Sequence, residues 1–177
     1  MITNFDKDLQ AVDHLYSEIE TLLEKPEVVL RHRYPAISKW STDEQIQHVL
    51  LANRWALSTM VSMLRDEAEF SESGRLKPLG MLLLGFGAIP RGRGKAPTAA
   101  KPSTEATLSD LRVNHRQQRG YLRKIRENQD LARSLSTRFQ HPVLGDFTLS
   151  HGLRFVRVHT RHHLKIVNEI LATLETT

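Results

Sequence analysis

Apolar residues recur every three or four positions in four segments of the chain, which is the spacing of one face of an α-helix. The first segment runs from about residue 5 to residue 24, and Pro26 closes it. The others span about residues 42–64, 108–133 and 148–174. No stretch of alternating β-branched residues competes with them. We therefore predict an all-α protein in which four long helices form a four-helix bundle.

Polar residues mark the start of two of these helices. Ser41 precedes the second helix, and Glu44 lies three residues later, so the pair forms a capping box in which each side chain satisfies a free backbone amide. Thr148 follows a "HPVLGD" turn and is a suitable N-cap for the fourth helix. Because no composition shift divides the chain, we expect one domain over residues 1–177.

The connection between the second and third helices is too long for a simple bundle turn. It reads "GRLKPLGMLLLGFGAIPRGRGKAPTAAKPS" over residues 74–103. Long connections in compact domains are usually functional lids or flexible linkers. The apolar first half is predicted to pack on the bundle or to cover the interface of a homodimer. The second half, from residue 90 onward, is predicted to be mobile.

Composition limits the kinds of site that the chain can build. Its 177 residues are 40% hydrophobic and include no cysteine, so any metal site must use histidine, carboxylate or water. The beginning, "MITNFDKDLQ", lacks the apolar core of a secretion signal. The longest apolar run, residues 81–88, is far shorter than the ~20 residues that cross a bilayer. We expect a cytoplasmic protein that does not bind membranes.

Positive charge is concentrated in the middle of the chain. Residues 75–126 carry twelve Lys and Arg but only two acidic residues, within a net charge of +5 for the whole chain. This segment is either a solvated face or a region that attracts an anionic ligand. Its "GRGK" lacks the spacing of a phosphate-binding loop, and aromatic residues hardly interleave with the arginines, so nucleic-acid binding is disfavoured.

The fourth segment places two histidines on its apolar face. Its inward stripe consists of Leu149, Leu153, Val156, His159, His163, Ile166, Ile170 and Leu174. His159 and His163 are therefore one turn apart in the core, where an unpaired imidazole is costly. A shared cation would satisfy both rings, because side chains at positions i and i+4 can converge on one ion.

Two imidazoles hold a divalent ion weakly, so a third ligand from another helix is required. His48 lies near the start of the second helix, but at the edge of its main apolar stripe. His115 lies on the inward face of the third helix. Helical periodicity permits either histidine and leaves the choice open.

Several motifs resemble those of the DinB-like superfamily of metal-binding four-helix bundles. They are "WSTDEQIQHVL" and "HPVLGDFTLSHGLRFVRVHTRHHLKIVNEIL", within about residues 40–67 and 141–174. The resemblance implies a metal triad of His48, His159 and His163, and it leaves His162 outside the ligand set. It also implies a metal-dependent enzyme, of the hydrolase or thiol S-transferase type, that acts on a small molecule such as a low-molecular-weight thiol.

Three histidines with a vacant coordination position are typical of a catalytic metal. The nitrogen ligands suit zinc, nickel or iron, and metal availability favours zinc or nickel. Glu44 could accept a proton, Asn53 and Trp55 could line the cavity, and the "PRGRGKAP" loop could close over an anionic substrate. The alternatives are a metal-binding bundle without catalysis and an interaction module that binds an acidic partner through its basic segment.

Overall fold

The computed structural model describes residues 3–67, 70–92 and 96–175, and within these ranges it is mostly helical. The helices of the described chain are α1 (Phe5–Leu23), α2 (Glu27–Leu30), α3 (Thr42–Arg65), α4 (Pro78–Phe86), α5 (Leu108–Glu127), α6 (Gln129–Ser134) and α7 (Leu149–Glu175). The predicted helical class is confirmed, and the four predicted segments correspond to α1, α3, α5 and α7. The short helices α2, α4 and α6 were not predicted.

The four long helices share one core. Helix α1 packs against α5 and α7, and α3 packs against the same two helices. Their inward faces supply large, fully buried side chains, among them Tyr16, Ile19, Leu50, Leu57, Met60, Leu122 and Ile125. The third helix is shorter than predicted, because Asn128 leaves helical geometry at φ −113° and ψ 30°, and the separate helix α6 begins at the next residue.

A small hairpin that the sequence pattern did not predict precedes α7. Strand β1 (Phe139–His141) pairs antiparallel with β2 (Gly145–Phe147). Gly145 has φ +92°, and a Cβ atom there would lie 2.5 Å from the backbone of Arg75 and Lys77. Only glycine tolerates both the positive φ and this close approach. The hairpin packs on α3 through the rings of Phe139 and Trp55, whose centroids are 5.5 Å apart.

The long connection is ordered over most of its described length. Helix α4 buries Leu84 against the protein and leaves Phe86 80% exposed, so its packing on the bundle is confirmed for one face. Whether the other face binds a second copy stays a prediction. Residues 98–100, within the half that was predicted to be mobile, instead form a 3₁₀ turn that packs on α3. None of the described helices has both the length and the hydropathy needed to cross a bilayer.

Candidate metal centre

Three histidines from two helices meet in the core between α3 and α7. His48 comes from α3, and His159 and His163 come from successive turns of α7. One ring nitrogen from each lies within 4.8 Å of the others, and each residue is at most 8% exposed. The Nε2 atoms of His48 and His159 are 3.2 Å apart. The structure therefore brings together the three side chains that the sequence motifs selected.

The outer nitrogen of each ring is held by a different hydrogen-bond acceptor. Nδ1 of His48 lies 2.6 Å from the carbonyl oxygen of Ala100, in the 3₁₀ turn. Nδ1 of His163 lies 2.6 Å from Oε1 of Gln45, one turn before His48 on α3. Nδ1 of His159 lies 3.3 Å from Oδ1 of Asn53. Such partners fix the orientation of a metal-binding histidine and raise its basicity.

These partners also decide which nitrogen carries the proton. A backbone carbonyl can only accept, so Nδ1 of His48 must be the donor. The amide nitrogen of Gln45 already donates to Ser38 Oγ at 2.8 Å, and that of Asn53 donates to Thr160 Oγ1 at 2.8 Å. Their oxygens are therefore the atoms that face the histidines. All three rings carry hydrogen on Nδ1 and present an Nε2 lone pair to the shared space.

Three converging lone pairs fit a cation. Without one, the 3.2 Å contact between His48 and His159 joins two acceptors, which repel each other. A bridging proton is disfavoured because burial lowers the pKa of His48 and His163 and lowers that of His159 well below its usual value. Two nitrogens bound at about 2.0–2.1 Å to a tetrahedral ion would lie roughly 3.3 Å apart. The 3.2 Å separation between the Nε2 atoms of His48 and His159 matches this geometry, and the ligand nitrogen of His163 lies within 4.8 Å of both.

A buried network of hydrogen bonds holds Asn53, the acceptor for Nδ1 of His159. Asn53 is fully buried and also donates to Tyr16 Oη at 3.2 Å. Tyr16 in turn donates to Gln118 Oε1 at 2.7 Å. The network connects one side chain from each of α1, α3 and α5 to Thr160 of α7. Because each donor restricts the next, Asn53 is held in the orientation that places its oxygen against His159.

Aromatic and imidazole rings surround the triad. Trp40 lies against His48 with ring centroids 4.9 Å apart, and Phe155 stacks on His159 at 5.4 Å with an interplanar angle of 13°. His162 is half-buried and contacts His163 edge-on at 4.9 Å. These rings reduce the access of water to the three Nε2 atoms.

The profile of the DinB superfamily matches residues 10–167 of the chain. The chain belongs to the DinB superfamily. Searches of curated proteins and of solved structures gave no match. The assignment agrees with the helical fold and with the resemblance seen in the histidine motifs.

Other residues singled out in the sequence lie elsewhere in this DinB structure. His115, the rival third ligand, stacks on Tyr16 and donates from Nε2 to its carbonyl oxygen at 2.9 Å, so it is not part of the triad. Glu44 accepts from the backbone amide of Ser41 at 2.7 Å and pairs with Arg33 at 2.8 Å. Its capping role is therefore confirmed.

The basic segment is partly engaged in helix packing. Arg112 donates to the carbonyl oxygen of Leu23 at 2.7 Å, and both Arg119 and Arg126 pair with Asp13 of α1. These contacts favour a structural role for the basic face of α5. In the "PRGRGKAP" loop, Arg91 pairs with Glu169 of α7 at 2.6 Å, whereas residues 93–95 lie outside the described part of the chain.

Two pockets on the surface lie away from the triad. One, of about 670 Å³, is next to the end of α3, beside Met63 and Glu67. The other, of about 430 Å³, is on α7, beside Leu164 and Glu169. Neither is lined by a histidine of the triad.

Sequence reasoning missed the atoms that orient the triad. The sequence motifs do not indicate Gln45, although it precedes His48 by three residues and so lies near it on the same helix. For Asn53 the sequence predicts only a cavity-lining role. Ala100 contributes a backbone carbonyl, and no sequence signal identifies such a contribution.

Proposed function

We propose that His48, His159 and His163 bind one divalent transition metal ion through Nε2. We propose further that the protein is a metal-dependent enzyme of the hydrolase or thiol S-transferase type, acting on a small molecule. The observation that carries the proposal is the shared orientation of the rings. Each donates from Nδ1 to its own acceptor, so three lone pairs face one shared space whose ligand atoms lie within 4.8 Å of one another.

The ligand count favours catalysis over a purely structural site, because three protein ligands leave a tetrahedral ion with a vacant position. When bound, such an ion acts as a Lewis acid that activates water or a thiol, or polarises a carbonyl group. The protein contributes the fixed ring orientations, which come from Gln45, Asn53 and the Ala100 carbonyl. Trp40 and Phe155 shield the site from bulk water.

The proposed metal is zinc or nickel, with iron as the alternative. All three ligands are imidazole nitrogens, which suit these ions and give no preference for Mg²⁺ or Ca²⁺. We also infer that α1, α3, α5 and α7 constitute a four-helix bundle of the DinB type. In bundles of this kind, metal ligands project inward from facing helices. The three histidines come in the same way from α3 and α7, which pack against each other.

The proposal is tested by comparing metal-loaded and metal-stripped protein. Both forms are given a panel of esters and amides, and separately a low-molecular-weight thiol with an electrophile. We expect turnover in one of the two assays that disappears on stripping, returns with zinc or nickel, and is absent from His163→Ala. Stoichiometric metal binding without turnover in either assay would instead support a metal-binding bundle without catalysis.

A further inference from the structure

His141 is held in one tautomer by the hairpin turn. Its Nδ1 accepts the backbone N–H of Val143 at 3.2 Å and of Leu144 at 3.1 Å. The ring proton is therefore on Nε2. Within the described chain, Nε2 has no hydrogen-bond partner, and the residue is half-buried. Burial, and then the nearby Lys77 cation, lower the pKa of His141 to about 4. At neutral pH it is thus an uncharged donor with a free N–H group.

The His141 ring spans the two helices that carry the metal triad. It lies 5.4 Å from the Trp55 ring on α3 and 5.1 Å from the Phe155 ring on α7, measured between centroids. Phe155 in turn stacks on His159. Trp55 follows His48 by seven residues and Phe155 precedes His159 by four, and helices rise 1.5 Å per residue. The ring contacts of His141 are therefore about 10.5 Å from His48 along α3, at Trp55, and about 6 Å from His159 along α7, at Phe155.

Trp55 shows that this end of the site reaches solvent. Trp55 is 38% exposed, whereas Phe155 is 8% exposed and stacks on His159. The rings of Trp55, His141 and Phe155 therefore form a row from the surface to His159. Lys77 adds positive charge at the same hairpin, because its Nζ donates to the carbonyl oxygen of Pro142 at 3.1 Å. A free N–H group beside a cation is suited to an anionic acceptor such as a carboxylate.

We propose that His141 binds the carboxylate of an elongated substrate whose other end binds the metal and whose apolar or aromatic body lies along Trp55 and Phe155. This inference rests on the proposed function, because it requires a metal at the triad. It assigns to His141 the role of a substrate-binding donor. It also assigns a substrate class, that of carboxylates with a metal-binding group at the far end.

Two substitutions separate substrate binding from support of the turn. In His141→Asn the side-chain amide occupies the place of Nδ1, so the turn keeps an acceptor while the Nε2 donor is lost. In His141→Gln the longer side chain carries an amide N–H to the place of Nε2, and the turn loses its acceptor. A residue that only supports the turn would tolerate Asn better than Gln, whereas a substrate donor would show the reverse order.

The experiment uses the full chain loaded with Co²⁺, whose visible absorption reports a change in the ligands of the ion. The probes are benzohydroxamate and 4-carboxybenzohydroxamate, which differ only by a carboxylate across the ring from the metal-binding group. We expect the carboxylate to tighten binding about tenfold in the wild type and in His141→Gln, and by less than twofold in His141→Asn. Thermal unfolding of each variant reports the support of the turn independently.

Each other outcome overturns the inference. The same probe ratio in His141→Asn and the wild type would show that the donor is not used. The loss of the carboxylate effect in His141→Gln alone would assign His141 to the turn. Stoichiometric Co²⁺ binding with no response to either probe would refute this inference and leave the metal site intact. Failure of Co²⁺ to bind would refute the proposed function, and this inference with it.

Discussion

The Oε1 atom of Gln45 lies 2.6 Å from Nδ1 of His163, and both side chains are buried between α3 and α7. The contact fixes the tautomer of His163, and Gln45 itself is not one of the three proposed ligands. Gln45 also lies one turn before His48. Helix α3 therefore supplies one of the three proposed ligands and orients another, so the proposed metal site depends on the contact between α3 and α7.

Replacement of Gln45 by Leu is expected to weaken metal binding about 10- to 100-fold, because His163 loses the acceptor that holds its Nε2 toward the site. The matched control is Gln45→Glu, which retains an acceptor oxygen. It should bind metal at least tenfold more tightly than Gln45→Leu. Competition with a chromophoric chelator measures both dissociation constants. Equal affinity in Gln45→Leu and the wild type would contradict this role.

Asn53 is expected to be important for stability as well as for ligand orientation. Asn53→Ala leaves buried groups of Thr160 and His159 without their Asn53 partner and removes one of the two hydrogen bonds of Tyr16 Oη, and it should cost about 2–4 kcal/mol of unfolding free energy. Urea denaturation of metal-free protein measures this loss. Asn168→Ala is the control, because Asn168 is exposed and its side chain bonds only Glu18 among the described residues, so its effect should stay within about 0.5 kcal/mol. Similar effects of the two substitutions would be inconsistent with the network.

Stability should fall as the pH drops below 6.5. Burial lowers the pKa of His115, so the folded state resists protonation while the unfolded state takes up a proton near pH 6.5. The stability from this group is complete above pH 6.5 and is lost as the pH falls toward its lowered pKa. One such group changes the unfolding free energy by up to about 1.4 kcal/mol per pH unit.

His115→Gln cannot be protonated, so metal-free variant protein should lose less stability between pH 7 and pH 5 than the wild type. Urea denaturation at both pH values, with a chelator present, gives the comparison. An unchanged difference would show that His115 is charged in the folded protein or is accessible to water.

Metal removal should lower thermal stability, because an ion that binds only the folded state stabilises it. At a free metal concentration roughly 1,000-fold above Kd, the gain is about 4 kcal/mol, or roughly 10 °C in Tm for a chain of this size. Thermal unfolding with zinc and with a chelator measures the shift. It should disappear in His159→Ala and persist in His115→Gln, whose imidazole is outside the triad. A metal-dependent shift retained in His159→Ala would place the ion elsewhere.

The sequence pattern predicted the features that depend on one helix alone, such as which residues face inward and where the helix begins. The apolar stripe of α7 identified His159 and His163 as inward residues, and the Ser41–Glu44 capping box located the start of α3. The choice between His48 and His115 was not determined by periodicity, because both lie on buried faces and only the packing of α3 against α7 separates them. The family resemblance selected His48.

Other features depend on tertiary contacts that leave little local signal. The strands of the hairpin have three residues each, too few to show alternation, and Gly145 is required by the backbone of residues 75–77. Ala100 acts through its carbonyl oxygen, which every residue type possesses. The end of α5 at Asn128 interrupts an apolar pattern that continues into α6, so the pattern alone predicted a longer helix.

The most direct test of the central claim is a crystal structure of protein incubated with zinc or nickel, with anomalous diffraction recorded on both sides of the metal absorption edge. We predict one strong anomalous peak about 2.0–2.2 Å from Nε2 of His48, His159 and His163, with a further coordination position not filled by protein. A map without a peak between these side chains after soaking, or with the ion bound to other residues, would contradict it.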